Sequence, residues 1–316
     1  MKVLLVGEDR QGALLRSLQV GFASICAISV ADPYRDRLAT TSRIRRFRQA
    51  RRLSRAAEAL VEIVEQLKPD VTLIIKGRGI TSAAITEARR HSRIAIYYPD
   101  NPYWGFSDRH DSCARLCASD LALIWSERLR NRLAHDCRRT EVLPFGYDDG
   151  WFPITDPSTT REGIVFMGTW HPRRERYLDA LHGLPLTVFG SEWQRARELA
   201  CSPPSYQQDA GKILQQAAIA INIFHPHNAG AHNMRTRELA ASGTLQLTDP
   251  GLDGTPLRDN DGCRWFSSPG HLRELVQHYL AHPGEASSMA RRAQFLAGDE
   301  TYRRRANQLL ALFEDL

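Results

Sequence analysis

The stretch of this sequence richest in chemistry runs from Ala218 to Asp249, AIAINIFHPHNAGAHNMRTRELAASGTLQLTD. An apolar run leads through a His/Asn/Gly loop into a short helical pattern opened by Asn233 and stopped near Gly243, and a second apolar run follows. The start of that helix faces the loop, and its unpaired backbone N–H groups together with the helix dipole favour an anion. Arg235 and Arg237 can add forked, charge-assisted hydrogen bonds to phosphate oxygens. Glu238, on the same turn, can accept hydrogen bonds from ribose hydroxyls, because an ionised carboxylate is an acceptor at both oxygens. The same residue types also fit a plainer arrangement, with both arginines solvated, Glu238 complementing the dipole and Gly243 ending the helix.

Three further places carry polar groups at the ends of apolar runs. After Met167 comes GTWHPRR, in which Gly168 and Thr169 give a small start and Trp170, His171, Arg173 and Arg174 follow, a composition suited to close backbone approach and phosphate binding. It equally fits a turn with Pro172 at the first helical position. Gly190, Ser191 and Trp193 follow the next apolar run and could offer backbone groups and an aromatic face to a nucleobase, although Trp193 also fits a packing role. In the first half, YYPDNPYWGF sets Asp100 and Asn101 among Tyr97, Tyr98, Tyr103, Trp104 and Phe106. Aromatic walls with a few polar groups suit a sugar, and a strand-end carboxylate such as Asp100 can receive a hydroxyl proton. Pro99–Pro102 also fits an Asx-type turn.

Two other constellations are weaker. His225, His227 and His232 lack a fourth ligand at zinc spacing, and Asp259-Asn260-Asp261 before Gly262 reads as a polar turn rather than a cation site. RIRRFRQARRLSR at Arg43–Arg55 packs seven arginines into thirteen residues. It fits peripheral contact with an anionic membrane surface or nucleic acid, or a solvated basic helix face.

The elements that must hold these residues alternate. Strands are expected at Lys2–Val6, Ile25–Val30, Val71–Ile75, Ile94–Tyr98 and Leu121–Trp125, with helices from about Gly12, through Leu67 and near Ser82–Arg90. Trp151–Glu162, WFPITDPSTTRE, breaks the pattern with two prolines and four small hydroxyl residues and reads as a linker. Alternation then restarts with strands at Gly163–Met167, Leu186–Phe189, Ala218–Phe224 and Thr244–Thr248. Helices are expected from Pro172, near Glu192–Ala200, over Met234–Ser242 and from Leu272 onward. Such order implies α/β architecture with parallel sheets, whose ligands bind at the carboxyl ends of strands.

Composition admits this reading. The 316 residues suffice for two domains, and 42% hydrophobic with 25% charged residues is ordinary for a globular protein. Net charge is +6 and the basic residues are 38 arginines and 4 lysines, a balance suited to forked recognition of anionic ligands. The start lacks the long apolar segment of a signal peptide, no run approaches a membrane span, and six scattered cysteines read as unpaired thiols, so a cytoplasmic location is expected.

The segment N-x-R-x-R-E-L-A-A-S-G-T-L-Q-L-T-D resembles the donor-site signature of GT-B glycosyltransferases, most closely the CgeB-like group related to family-4 glycosyltransferases. MKVLLVG, PDVTLIIKGRG, YYPDNP, LPFGYDDGWF, IVFMGTWHPRR, VFGSEW and AINIFHP extend the resemblance along nearly the whole chain. It implies two Rossmann-like domains with parallel sheets facing an inter-domain cleft. Residues 1–155 would form the acceptor side and 160–298 the nucleotide-sugar domain, with 299–316 packing back on the first. The implied activity is metal-independent transfer of a glycosyl group, hexosyl or related, from a nucleoside-diphosphate sugar to an acceptor hydroxyl, with no cofactor beyond the donor. The acceptor class stays open among glycan, protein, lipid-linked and nucleic-acid substrates. Glu238 would bind ribose, and Arg173 and Arg235 would neutralise the pyrophosphate. Donor contacts are expected from Gly168, Thr169, Trp170, Gly190, Trp193, Asn233, Thr236 and Arg237, and acceptor contacts from Asp100, Asn101, Tyr103 and Trp104. One position departs: family-4 enzymes have a further glutamate eight residues before the ribose-binding one, where this chain has Gly230. A sugar-nucleotide epimerase of the same fold and a non-catalytic binding module built on Arg43–Arg55 are the rival readings.

Overall fold

The computed structural model describes the chain except residues 11, 35–41, 105–108, 155–160, 198, 200, 203–207, 229–230 and 252, and except the side chains of 42–54, 109–110, 201–202 and 208. Two compact units result, one of Met1–Pro144 with Tyr302–Leu316, the other of Phe145–Thr301.

The first unit contains β1 (Lys2–Val6), α1 (Leu14–Ala23), β2 (Ala27–Ala31), α2 (Ser42–Leu67), β3 (Val71–Ile75), α3 (Ser82–Ala88), β4 (Arg93–Tyr98), α4 (Arg109–Ala118), β5 (Leu121–Ile124), α5 (Glu127–Leu133) and β6 (Thr140–Val142). Its strands pair in parallel in the order β2-β1-β3-β4-β5-β6. Strands β3 and β5 are buried at every residue, which is why they read as unbroken apolar runs: helices cover both faces of a parallel sheet. The order reverses between β1 and β3, so their carboxyl ends, at Gly7 and Lys76, flank the switch point where such sheets hold ligands.

The second unit contains β7 (Glu162–Met167), α6 (Pro172–Asp179), β8 (Leu186–Phe189), β9 (Cys201–Ser202), α7 (Gln208–Gln216), β10 (Ala217–Asn222), α8 (Met234–Ala241), β11 (Leu245–Thr248), β12 (Arg258–Asp259), β13 (Gly262–Trp265), α9 (Pro269–Ala281) and α10 (Pro283–Ala297). The order among described residues is β12-β13-β11-β10-β7-β8-β9. Alternate residues of β7 feed two cores: Ile164 and Phe166 pack with Ile219, Ile221, Leu245 and Leu247, while Val165 and Met167 pack with Ala220, Leu239 and Ala240.

The last helix, α11 (Tyr302–Glu314), belongs to the first unit. It lies so close to α1 that a Cβ on Gly21 would come within 2.5 Å of the Tyr302 carbonyl oxygen, and the Phe22 and Phe313 rings stack with centroids 6.5 Å apart.

Three expectations are corrected. The chain passes between units at Pro144–Phe145, upstream of the Pro-rich stretch. Glu192–Ala200 forms no helix: only Trp193–Arg195 makes a 3-10 turn, because Glu192 is left-handed (φ 65°) and Ala196 extended. Cys117 and Cys137 form a disulfide, with Cα atoms 4.1 Å apart, where unpaired thiols were expected. The scatter of cysteines along the chain hid this pair, which α5 and the turn after it bring back beside the end of α4.

Candidate anion-binding site of the second unit

Because β7, β8, β10 and β11 are parallel neighbours, the loops after Met167, Phe189, Asn222 and Thr248 emerge at one sheet edge. Helix α8 starts at that edge and is anchored by amides. The Asn233 side chain accepts from the Thr236 N–H at 3.0 Å, and the Thr236 hydroxyl accepts from the Asn233 N–H at 3.4 Å, closing a capping box. Asn222, at the end of β10, exchanges amide hydrogen bonds with Asn233 at 3.0 and 3.2 Å and donates to the Thr236 hydroxyl at 3.1 Å. The strand therefore fixes where the helix N-terminus points.

Around this start stand three guanidinium groups. Arg173 forks onto Asp249, with Nη1 at 2.8 Å and Nη2 at 2.5 Å from the two carboxylate oxygens, and this hydrogen bonding raises its pKa. Arg235 pairs with Glu238 at 2.7 Å across one helical turn. Arg174 pairs with no carboxylate among the described residues: its Nε donates to the Ile223 carbonyl at 3.0 Å and its Nη1 to the Thr169 carbonyl at 2.8 Å, while its Nη2 takes no partner among them. Burial pulls its pKa down to about 10; Asp249 opposes that shift, and the charges of Arg173 and Arg235 add to it. The group stays cationic at neutral pH. Among the described residues paired here, three cations face two carboxylates at a helix N-terminus, leaving a positive surplus where an anion is favoured. Arg174 lies in the GTWHPRR loop whose composition suits phosphate binding, whereas nothing in the sequence marks Asp249, whose pairing with Arg173 is tertiary.

The glycine pair after β7 and β8 shapes the same edge. A Cβ on Gly190 (φ 151°) would fall 2.0 Å from the Gly168 carbonyl oxygen, so the two loops touch through backbone. That carbonyl accepts from Trp193 Nε1 at 2.7 Å. The Trp170 N–H donates to the Ser191 carbonyl at 2.9 Å and its indole to Glu175 at 2.8 Å, while the Thr169 and Ser191 hydroxyls pair at 3.1 Å in an exposed position.

Three residues expected to touch a donor are turned inward instead. Arg237 has 3% of its side chain exposed, pairs with Glu300 and donates to the Gly254 carbonyl at 2.7 Å; two residues on from Arg235, it leaves the helix on another face. Thr236 is fully buried in the capping box, and Trp193, 3% exposed, packs edge-on against Phe166. Gly168, Thr169, Trp170, Gly190, Asn233, Arg235 and Glu238 remain at the sheet edge or helix start.

His171 caps α6 by accepting from the Arg173 N–H at 3.2 Å, and its ring meets His225 edge-on, centroids 4.8 Å apart. Burial lowers its pKa, and the charges of Arg174 and Arg173 lower it further. His232 is fully buried with Nδ1 at 2.7 Å from the Asp253 carbonyl. No metal-holding cluster of three His, Cys, Asp or Glu occurs among the described residues. Asp259-Asn260-Asp261 is a turn around left-handed Asn260 (φ 62°).

In the first unit, Asp100 forms an ion pair with Lys76, joining the carboxyl ends of β3 and β4. Asn101 makes an Asx turn, its side chain accepting from the Tyr103 N–H at 3.0 Å, and the Trp104 N–H donates to its carbonyl at 3.1 Å. Arg132 stacks 3.6 Å from the Tyr103 ring centroid. Phe106 and Gly230 lie outside the described residues, as do the side chains of Arg43–Arg55 before the exposed Arg55. No helix among the described residues is long and apolar enough to cross a membrane.

Residues 173–311 match a family model described as "Glycosyl transferase-like", a span that includes Arg173, Arg174, Arg235, Glu238 and Asp249. No curated protein sequence matches the chain. Among solved structures, sucrose-phosphate synthase from Thermosynechococcus elongatus is similar at TM-score 0.73 and 10% identity, covering 100% of this chain and 99% of that one. Anabaena HepE in complex with UDP-glucose is similar at TM-score 0.68 and 13% identity, with 100% of both chains covered. The α,α-trehalose 6-phosphate synthase from Burkholderia multivorans follows at TM-score 0.65 and 10% identity, covering 99% of this chain and 96% of that one. With two parallel α/β units of this order and likeness along its whole length, the chain has the GT-B fold.

Proposed function

We propose that the protein transfers a sugar from a nucleoside-diphosphate sugar to an acceptor hydroxyl, and that it stands with the CgeB-like group. The observation that carries this is the Arg174 guanidinium beside the α8 N-terminus, hydrogen-bonded only to carbonyls among the described residues, at the sheet edge where Arg173 and Arg235 are already held by carboxylates. In the reaction, the bond from the anomeric carbon to the diphosphate oxygen breaks with its electron pair on that oxygen, and the acceptor oxygen bonds the anomeric carbon. Arg174, Arg235 and the helix start stabilise the charge that develops on the diphosphate, a preorganised effect that needs no divalent cation to supply the positive field. Glu238 accepts from the ribose, its second oxygen free to do so beside Arg235. Asp100, with Lys76, receives the acceptor proton. UDP-sugars are the first donors to test, since HepE was solved with UDP-glucose.

A thermal-shift series with UDP, GDP, ADP and their sugars tests the reading. One diphosphate should raise the melting temperature through mass action, and E238Q should reduce that shift while keeping the unliganded melting temperature. Release of free nucleoside diphosphate only when an acceptor is added separates transfer from epimerisation. Absence of any diphosphate-dependent shift would overturn the proposal.

A further inference from the structure

The opposite edge of the second sheet, at the amino ends of its strands, holds a cavity of about 520 Å³. That is the size range of small-molecule sites. Pro185 and Ala218, at the starts of β8 and β10, line one side; Leu280, Ala286 and Ala290, from the end of α9 and from α10, line the other. The lining is mostly apolar, and its cation is Arg161.

Arg161 is held by neutral acceptors. Nη1 donates to the Thr244 hydroxyl at 3.1 Å and the Leu214 carbonyl at 3.4 Å, Nη2 to the Ser242 carbonyl at 3.0 Å, and the buried Nε has no hydrogen-bond partner. Burial draws its pKa down, and no carboxylate among the described residues pairs with it. In the same unit Arg173, Arg237 and Arg264 each hold a carboxylate. A half-buried guanidinium without a counter-ion among the described residues, beside an apolar cavity, is costly unless an anion completes it.

We propose that this cavity binds a small amphipathic monoanion, with a carboxylate on Arg161 and an apolar body against Pro185, Ala218, Leu280 and Ala286. One guanidinium matches one unit charge, and the exposed Glu162 that also lines the cavity disfavours a more highly charged phosphate. The site stands independently of the glycosyl-transfer reading, since it shares no residue with the donor edge. Its Arg161 does hold the C-cap carbonyl of α8, whose other end starts the donor site.

Calorimetric titration of the full chain with octanoate, and with 1-octanol as the neutral control, tests the proposal. Octanoate should bind one saturable site with a Kd on the order of 0.1–1 mM, as expected for a ligand of this size, and octanol at least tenfold more weakly. R161Q should lose at least tenfold in octanoate affinity. Where R161Q fails to fold, S287W, on a half-buried wall position, should fill the cavity and abolish binding. No saturable octanoate binding, equal binding of octanol, or undiminished binding by S287W would overturn it.

Discussion

Arg173 forks onto Asp249 at 2.5 and 2.8 Å, and the same carboxylate accepts the Phe224 N–H at 2.7 Å. One buried acid thereby ties α6, the end of β10 and the end of β11 into a fixed edge. Arg173 is held by that tie, whereas its neighbour Arg174 donates only to carbonyl oxygens among the described residues. The polar groups of this edge are paired with one another, and its surplus positive charge comes from Arg174, whose described partners are neutral carbonyls.

Asp249→Asn keeps the shape but removes the charge that holds Arg173. The expected loss is about 1–3 kcal/mol of stability, in line with charged hydrogen bonds in a partly buried pair; Arg173 keeps 32% of its side chain exposed, so solvent screening favours the lower end. Urea unfolding should show a lower midpoint at unchanged slope. An unchanged midpoint would show that the fork contributes nothing to the fold.

Gly190→Ala should be severe for so small a change. The added methyl meets the Gly168 carbonyl oxygen at 2.0 Å in a backbone conformation that L residues rarely adopt. A drop of several degrees in melting temperature is expected, on the order of 2 kcal/mol or more. Gly183→Ala, with φ 82° but nothing within 4 Å of its Cβ, supplies the control for backbone conformation alone.

His171 makes stability depend on pH. Its folded pKa is depressed, by burial first and then by Arg174 and Arg173, so the unfolded chain binds its proton more readily. The stabilisation is therefore present above the ordinary histidine value of about 6.5 and is lost as pH falls through the lower folded value. Melting temperatures between pH 8 and pH 5 should fall more steeply for the wild type than for H171N, which retains a capping acceptor. Parallel curves would contradict this.

Arg235 and Arg237, two residues apart, should separate cleanly. R235A should weaken nucleoside-diphosphate binding and leave the melting temperature within a degree or two, because the Arg235 side chain is 27% exposed and its ion pair spans a single helical turn. R237M should act on stability, since Arg237 keeps only 3% of its side chain exposed and its loss removes both the ion pair with Glu300 and the hydrogen bond to the Gly254 carbonyl. Binding isotherms and thermal melts on both variants check the division.

Much of this architecture was legible as pattern. The runs VLLV, VTLII and LALI are buried strands because a covered parallel sheet asks for apolar residues on both faces. The Asn233 cap and Gly243 stop bounded α8 to within a residue. Pattern does not give azimuth: Arg235, Thr236 and Arg237 read alike as polar residues near a helix start, and only packing turns two of them inward. Partners far apart in sequence were also invisible, as with Arg173 and Asp249 or Cys117 and Cys137. The linker composition of WFPITDPSTTRE pointed past the true division, because Tyr147 and Phe152 are core residues of the second unit.

Whether Arg174 and the α8 N-terminus hold a diphosphate is read most directly by calorimetry with a nucleoside diphosphate and its monophosphate, on wild type and R174M. The wild type should bind the diphosphate at least tenfold more tightly, a gap of about 1.4 kcal/mol or more from charged contacts to the second phosphate, and R174M should close most of that gap while keeping its fold. Equal affinity for the two nucleotides in the wild type, or a gap untouched in R174M, would contradict the assignment.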